Sequence, residues 1–187
     1  MAEKAIDMAA AEGLPKMRLN IVILLLGTRG DLQPVLEIAK LLRVEHGHRV
    51  RLATHAVYRA EVEAAGIEFF STGDKTDPRE MQKRRLLTPK ELKAIVPTIK
   101  TEFDEMSRRW WLAAIGEPGD DFVADAVIST MQAFDHTSVA ARLAIPLHML
   151  GTNPRSPSKY LPHSQFAKYA KGGTKRQNKF SFWLFDY

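Results

Sequence analysis

The chain contains no cysteine, which excludes disulfides, thiolate metal sites and thiol nucleophiles and fits a reducing compartment. Long apolar runs are missing too. The longest, Ile21 to Leu26, is far shorter than the ~20 residues a membrane-spanning helix requires. Residues 1–16, MAEKAIDMAAAEGLPK, mix acids with small residues around no apolar centre, so they read as a flexible leader rather than a signal peptide. Together these absences point to a cytoplasmic chain. Acids are absent between Arg155 and Lys179, where seven of the 27 Lys and Arg residues fall, so the net charge of +5 is concentrated near the C-terminal end. Such a basic segment reads first as a solvated surface. No recognisable nucleic-acid-binding motif accompanies it, which argues against a nucleic-acid partner. Neither the G-x-G-x-x-G dinucleotide fingerprint nor a phosphate loop ending in Gly-Lys-Ser/Thr occurs.

The 187 residues present suffice for one well-buried domain. Leu19 to Leu26 (LNIVILLL) is nearly continuous in apolar, partly β-branched residues, the pattern of a strand buried on both faces of a parallel sheet. A polar loop follows, and after it Pro34, tolerated in a first helical turn, precedes an amphipathic stripe from Val35 to Leu42 that stops near His46-Gly47. Arg49–Thr54 reads as a second strand, Ala56–Ala65 as a helix closed by Gly66, and Ile67–Phe70 as a third strand. This rhythm predicts an α/β fold: a Rossmann-like parallel sheet with flanking helices. A helical excursion is expected within about 74–121. Its helix runs from Thr88, as N-cap, to Ile115, broken at Pro97. The βα alternation then resumes with strands at Asp125–Ser129 and Ile145–Leu150 around a helix from Phe134 to Leu143. The organisation is therefore a leader (1–16), a Rossmann-like domain (17–151) and a basic, Pro/Ser/Lys-rich continuation of that domain (152–187), which reads as truncated after its aromatic ending.

In open α/β sheets, ligands bind outside the carboxyl ends of the strands, and the first strand-to-helix turn commonly faces them. Gly27-Thr28-Arg29-Gly30-Asp31 occupies that turn. Two glycines would let the backbone turn sharply and approach a ligand, and the helix would direct its N-terminal N–H groups at the same place. Asp31 is either an acid at the mouth of a cleft or a helix cap. His55 follows the second strand on the strand-end side, where it would line the cleft or sit at a helix start. His46 and His48 flank a turn glycine and have no third ligand at metal-like spacing, so no metal site is expected. Trp110 and Trp111, with Phe103 and Met106, read as helix packing.

Three pieces occur in order: G-T-R-G-D-x-Q-P from Gly27, G-H-R-V-R-L-A-T-H from Gly47, and A-G-I-E-F from Ala65. Later stretches are D-A-V-I-S-T from Asp125 and I-P-L-H-M-L-G-T-N-P-R-S-P-S-K-Y-L-P-H from Ile145. In these pieces the sequence resembles the glycosyltransferase family 28 N-terminal domain of the sterol glucosyltransferases, over about residues 17–187. The resemblance implies the N-terminal half of a GT-B enzyme, which moves glucose from UDP-glucose to a sterol or lipid hydroxyl with inversion. By position Asp31 inherits the role of general base. Gly27, Thr28, Arg29 and Gly30 form the donor-phosphate or active-site loop, and His55 and His163 fall on the acceptor side. Where the family usually has P-W-S-P this sequence has Arg155, a cation in place of an apolar ring. No metal or resident cofactor is implied, and UDP-glucose is a co-substrate held by a C-terminal GT-B domain in cis or in trans. Beside Tyr160, Phe166 and Tyr169, the basic tail would rest against an anionic membrane surface. The alternative is a non-catalytic lipid- or partner-binding remnant lacking the donor domain.

Overall fold

A computed structural model of the chain describes residues 17–73, 89–152, 156–163 and 174–186. Five strands, β1 (Asn20–Leu24), β2 (Arg49–Thr54), β3 (Glu68–Ser71), β4 (Ala126–Thr130) and β5 (Leu147–Leu150), form one sheet in the order β3-β2-β1-β4-β5. Every neighbouring pair is parallel, and central Ile23 stands between Leu52 of β2 and Ile128 of β4. The helices are α1 (Arg29–Val44), α2 (Arg59–Ala64) after a 3-10 turn at Ala56–Tyr58, α3 (Pro89–Ile115), α4 (His136–Leu143) and α5 (Lys175–Asp186).

Side chains alternate across a strand, so the apolar run in and beyond β1 supplies both faces of the sheet. Ile21, Ile23 and Leu25 join Leu32, Val35, Leu36 and Ala39 of α1 and Val62 of α2 in one core. Val22, Leu24 and Leu26 join Met106, Trp110, Ala113 and Ala114 of α3 and Val139 and Ala140 of α4 in the other. Each fully buried Leu or Ile contributes about 2 kcal/mol, which is why the greasiest segment occupies the centre. Gly66 closes α2 with a left-handed φ of 71°, a conformation glycine adopts without strain.

The parallel sheet with helices on both faces is the expected architecture. Three details differ from the sequence reading. Helix α1 begins at Arg29, not after Pro34. Pro34 therefore sits in the second turn, and its missing N–H leaves the Gly30 carbonyl open where both residues are exposed to water. Helix α3 runs unbroken through Pro97. Pro97 and Lys93, whose carbonyl loses its partner, are both exposed, and Thr101 Oγ1 donates to the Pro97 carbonyl at 3.1 Å. The basic continuation contains α5, which buries Asn178, Ser181 and Phe182 and exposes Lys175, Arg176, Lys179, Phe180 and Trp183. The last two rings stack with centroids 5.4 Å apart. The leader, Thr88, Arg155, Phe166, Tyr169 and the whole charged stretch 74–85 that opens the helical excursion lie outside the described residues.

At the amino-terminal ends of β2 and β3, a charged cluster fixes the sheet edge. Arg51 is buried, its guanidinium 4.0 Å from the centroid of the Phe122 ring, with Nη2 2.5 Å from Glu68 Oε1 and 2.6 Å from Asp120 Oδ2. Arg49 reaches the same Glu68 at 3.1 Å and Asp121 at 2.8 Å. These carboxylates push the Arg49 guanidinium above its ordinary value, the bond to Glu68 foremost. Burial works against the charge of Asp120, but the Phe122 N–H and the Arg51 guanidinium outweigh it and hold this carboxyl below the usual carboxylate range. No helix among the described residues is long and apolar enough to cross a membrane.

Candidate functional site

The carboxyl end of β1 is held from both sides before the chain turns. Leu25 N–H donates to the Ala53 carbonyl at 2.9 Å, and Leu26 N–H donates to Thr130 Oγ1 at 3.3 Å. These bonds fix where Gly27 emerges. Thr28 is extended, with φ −91° and ψ 178°, and caps α1. Its carbonyl accepts the N–H groups of Asp31 and Leu32 at 3.0 and 3.1 Å.

Asp31, the third residue of α1, folds its carboxylate back over this turn. Oδ2 accepts the Thr28 N–H at 2.8 Å and the Thr28 hydroxyl at 3.1 Å. Oδ1 accepts the hydroxyl of Thr152, two residues beyond β5, at 2.6 Å. An ionised carboxylate offers about four acceptor positions. Three are filled here among the described residues, and the one remaining belongs to Oδ1. The carboxyl is only partly buried.

The two loop glycines differ from the expectation that both serve a sharp turn, because neither has a positive φ. A Cβ on Gly27 would lie 2.6 Å from Asp31 Oδ2 and 2.8 Å from its Cγ. Gly27 is thus the space in which the carboxylate sits. Around Gly30 the nearest atom to such a Cβ is Thr28 Oγ1 at 3.7 Å, an ordinary contact.

Gly27, Thr28, Gly30 and Asp31 come together, whereas Arg29 points across to α2 and pairs with Glu61 at 3.4 Å, both side chains exposed. His55 is buried at the carboxyl end of β2. Its carbonyl accepts the Tyr58 N–H, and its ring stands edge-on to Tyr58 at 6.3 Å. His163 is buried against α5, with its N–H donating to Ser181 Oγ at 2.8 Å and its ring 5.2 Å from Phe182. On the other face, Trp110 is fully buried and Phe134, partly exposed, packs edge-on to Phe103 and Trp110 at 4.6 and 5.1 Å. Sequence reasoning missed Thr130 and Thr152. The available signal was positional, since each ends or closely follows a strand on the side the loop faces.

The glycosyltransferase family 28 N-terminal domain model matches residues 21–162. Sterol 3-beta-glucosyltransferase UGT80B1 of Arabidopsis thaliana is 41% identical over 160 residues, covering 78% of this chain and 24% of the relative. Sterol 3-beta-glucosyltransferase UGT80A2 of the same organism is 38% identical over 168 residues, 87% of this chain and 26% of the relative. The chain thus spans about a quarter of the length of these relatives. Among solved structures, the calicheamicin glycosyltransferase CalG4 superposes with a TM-score of 0.56 at 20% identity, over 83% of this chain and 37% of that one. The parallel sheet and its flanking helices match the Rossmann-like N-terminal half of GT-B glycosyltransferases.

Proposed function

The chain belongs to the glycosyltransferase family 28 N-terminal domain family, and from that premise we propose that it is the acceptor-side half of an inverting glucosyltransferase. The donor is UDP-glucose, and the acceptor is a sterol or related lipid hydroxyl. The substrate reading draws its support from the named relatives, both sterol 3-beta-glucosyltransferases. The observation that carries the mechanism is the Asp31 carboxylate, held at a strand end with one acceptor position unfilled among the described residues.

An alcohol is a weak nucleophile near neutral pH. Asp31 takes the hydroxyl proton onto Oδ1 as the acceptor oxygen bonds to the anomeric carbon, and UDP leaves with the electron pair of the broken bond. Attack from the face opposite the leaving group inverts the anomeric centre. Base assistance of this kind supplies about 10²–10⁴-fold. Binding of the donor falls to a C-terminal GT-B domain, in cis or in trans. Gly27, Thr28 and Gly30 shape the turn beside the base, and His55 and His163 belong to the acceptor side. Exposed Lys175, Arg176 and Lys179 beside Phe180 and Trp183 support a peripheral contact with an anionic bilayer. Failure to bind phosphatidylserine vesicles at low salt removes that contact.

The central test is Asp31→Asn in the full-length natural protein, assayed for glucosyl transfer to sterol. Loss of at least ~10²-fold in turnover with the fold intact is expected; undiminished turnover overturns Asp31 as base.

A further inference from the structure

We infer that Thr152 is a positioning residue for the acid of the first loop: its hydroxyl aims the open acceptor position of Asp31 Oδ1 at the incoming nucleophile. The inference rests on the reading of Asp31 as general base.

The two carboxylate oxygens are held differently. Oδ2 is occupied from within its own turn by the N–H and hydroxyl of Thr28. These bonds span three residues and cap α1, so they persist wherever α1 goes. Oδ1 has one described partner, the Thr152 hydroxyl, 121 residues away in sequence and joined by the shorter bond, 2.6 Å. Rotation about the Cβ–Cγ axis, a broad torsion, moves both oxygens together, so the bonds at Oδ2 limit it only as far as they can bend and stretch. A second anchor on Oδ1 removes that freedom. Because Thr152 fills one acceptor position of Oδ1, it sets the direction of the other, the position that takes the proton.

The sheet makes this anchor rigid. β5 pairs with β4 through Ser129↔Met149 and Thr130↔Leu150, and Thr130 in turn accepts the Leu26 N–H beside the loop. Thr152 and Asp31 are therefore referenced to the same strand ends, one through β5 and β4 and the other through β1. A rotated base is a misplaced base, and misplacement by about 1 Å costs roughly 10²-fold in rate.

The test is a kinetic cycle in the full-length natural protein, using a sterol acceptor and UDP-glucose. Thr152→Val keeps the shape and removes the donor. It is expected to lower kcat by about 10–100-fold with KM for the sterol unchanged, and Thr152→Ser is expected to restore most of the rate. On an Asp31→Asn background, Thr152→Val is expected to cause no further loss, because the group it aims is gone. Thermal melts of each variant report the fold, and the Ser variant decides the matter if the Val variant melts early. Wild-type kcat in Thr152→Val alongside a dead Asp31→Asn overturns the positioning role and leaves the base intact. So does a Thr152→Val loss that persists undiminished on the Asp31→Asn background, or a Ser variant as impaired as the Val one. An active Asp31→Asn protein overturns the base, and the positioning role with it.

Discussion

Gly27 and Asp31 occupy the same space in complementary ways: where a side chain on Gly27 would begin, the carboxylate of Asp31 lies, 2.6 Å from the position of that missing Cβ. The absence of one side chain is what admits the other. Gly27→Ala is therefore expected to drive the carboxyl off the Thr28 N–H. The lost cap and the crowding cost about 1–2 kcal/mol, read as a lower midpoint in urea. An unchanged midpoint would mean that the loop relaxes around the methyl. Gly30→Ala, whose methyl would meet only Thr28 Oγ1 at an ordinary 3.7 Å, is expected to leave stability within about 0.5 kcal/mol of the parent or to raise it, as Gly→Ala does inside helices.

Asp31→Ala removes the acceptor of the Thr28 N–H and uncaps α1. A loss of about 1 kcal/mol in urea unfolding is expected, separate from any effect on turnover. A stability equal to the parent would show that water satisfies the first turn equally well.

Thr130 tests the latch between β4 and the start of the loop. Thr130→Val leaves the buried Leu26 N–H without its acceptor, a cost of about 1–3 kcal/mol, whereas Thr130→Ser keeps the oxygen and is expected to lose less. Equal melting points for the two variants would contradict this account.

Arg51 sits buried between Glu68, Asp120 and the Phe122 ring. Arg51→Leu removes one of the two guanidiniums on Glu68 and Asp120, leaving them to Arg49, and forfeits the ring contact; losing charge-assisted hydrogen bonds of this kind costs about 1.5–3 kcal/mol. Urea titration measures it; a variant as stable as the parent would mean that both carboxylates reach water.

The Asp120 carboxyl is held below its ordinary range in the folded chain. A depressed folded value means that its contribution is fully present above the unfolded value, about pH 4, and is lost as pH falls through the lower folded value. Stability is expected to decline in that acid window, with Asp120→Asn flattening the decline. Thermal melts between neutrality and about pH 3 measure this. An acid limb of identical slope in the variant would assign the decline to other groups.

The sheet was legible because its signals are local. The apolar run at Ile21–Leu26 and the alternation of strand and helix up to Phe70 depend on residues close in sequence. The start of α1 was misplaced because Pro34 is a strong generic signal for a first turn, while the cap that wins, Thr28 with Asp31 three residues on, uses an acid in place of the usual Glu or Gln. Pattern alone reads Pro97 as a break, because it does not show that the outward face there is wet. Arg51 gave no warning of burial, since its partners Glu68 and Asp120 lie 17 and 69 positions away. At the candidate site the loop itself was legible, and Thr152 was not, because nothing in a sequence measures the distance between the ends of two strands.

The bonds that hold Asp31 come from a backbone amide and two hydroxyls, not from packed apolar surface. The aromatic packing of Phe103, Trp110 and Phe134 lies on the other face of the sheet and meets the acid's loop through Leu26, which shares that core. Exchanging those rings changes size and shape on that side without removing any of the three donors that hold the carboxylate.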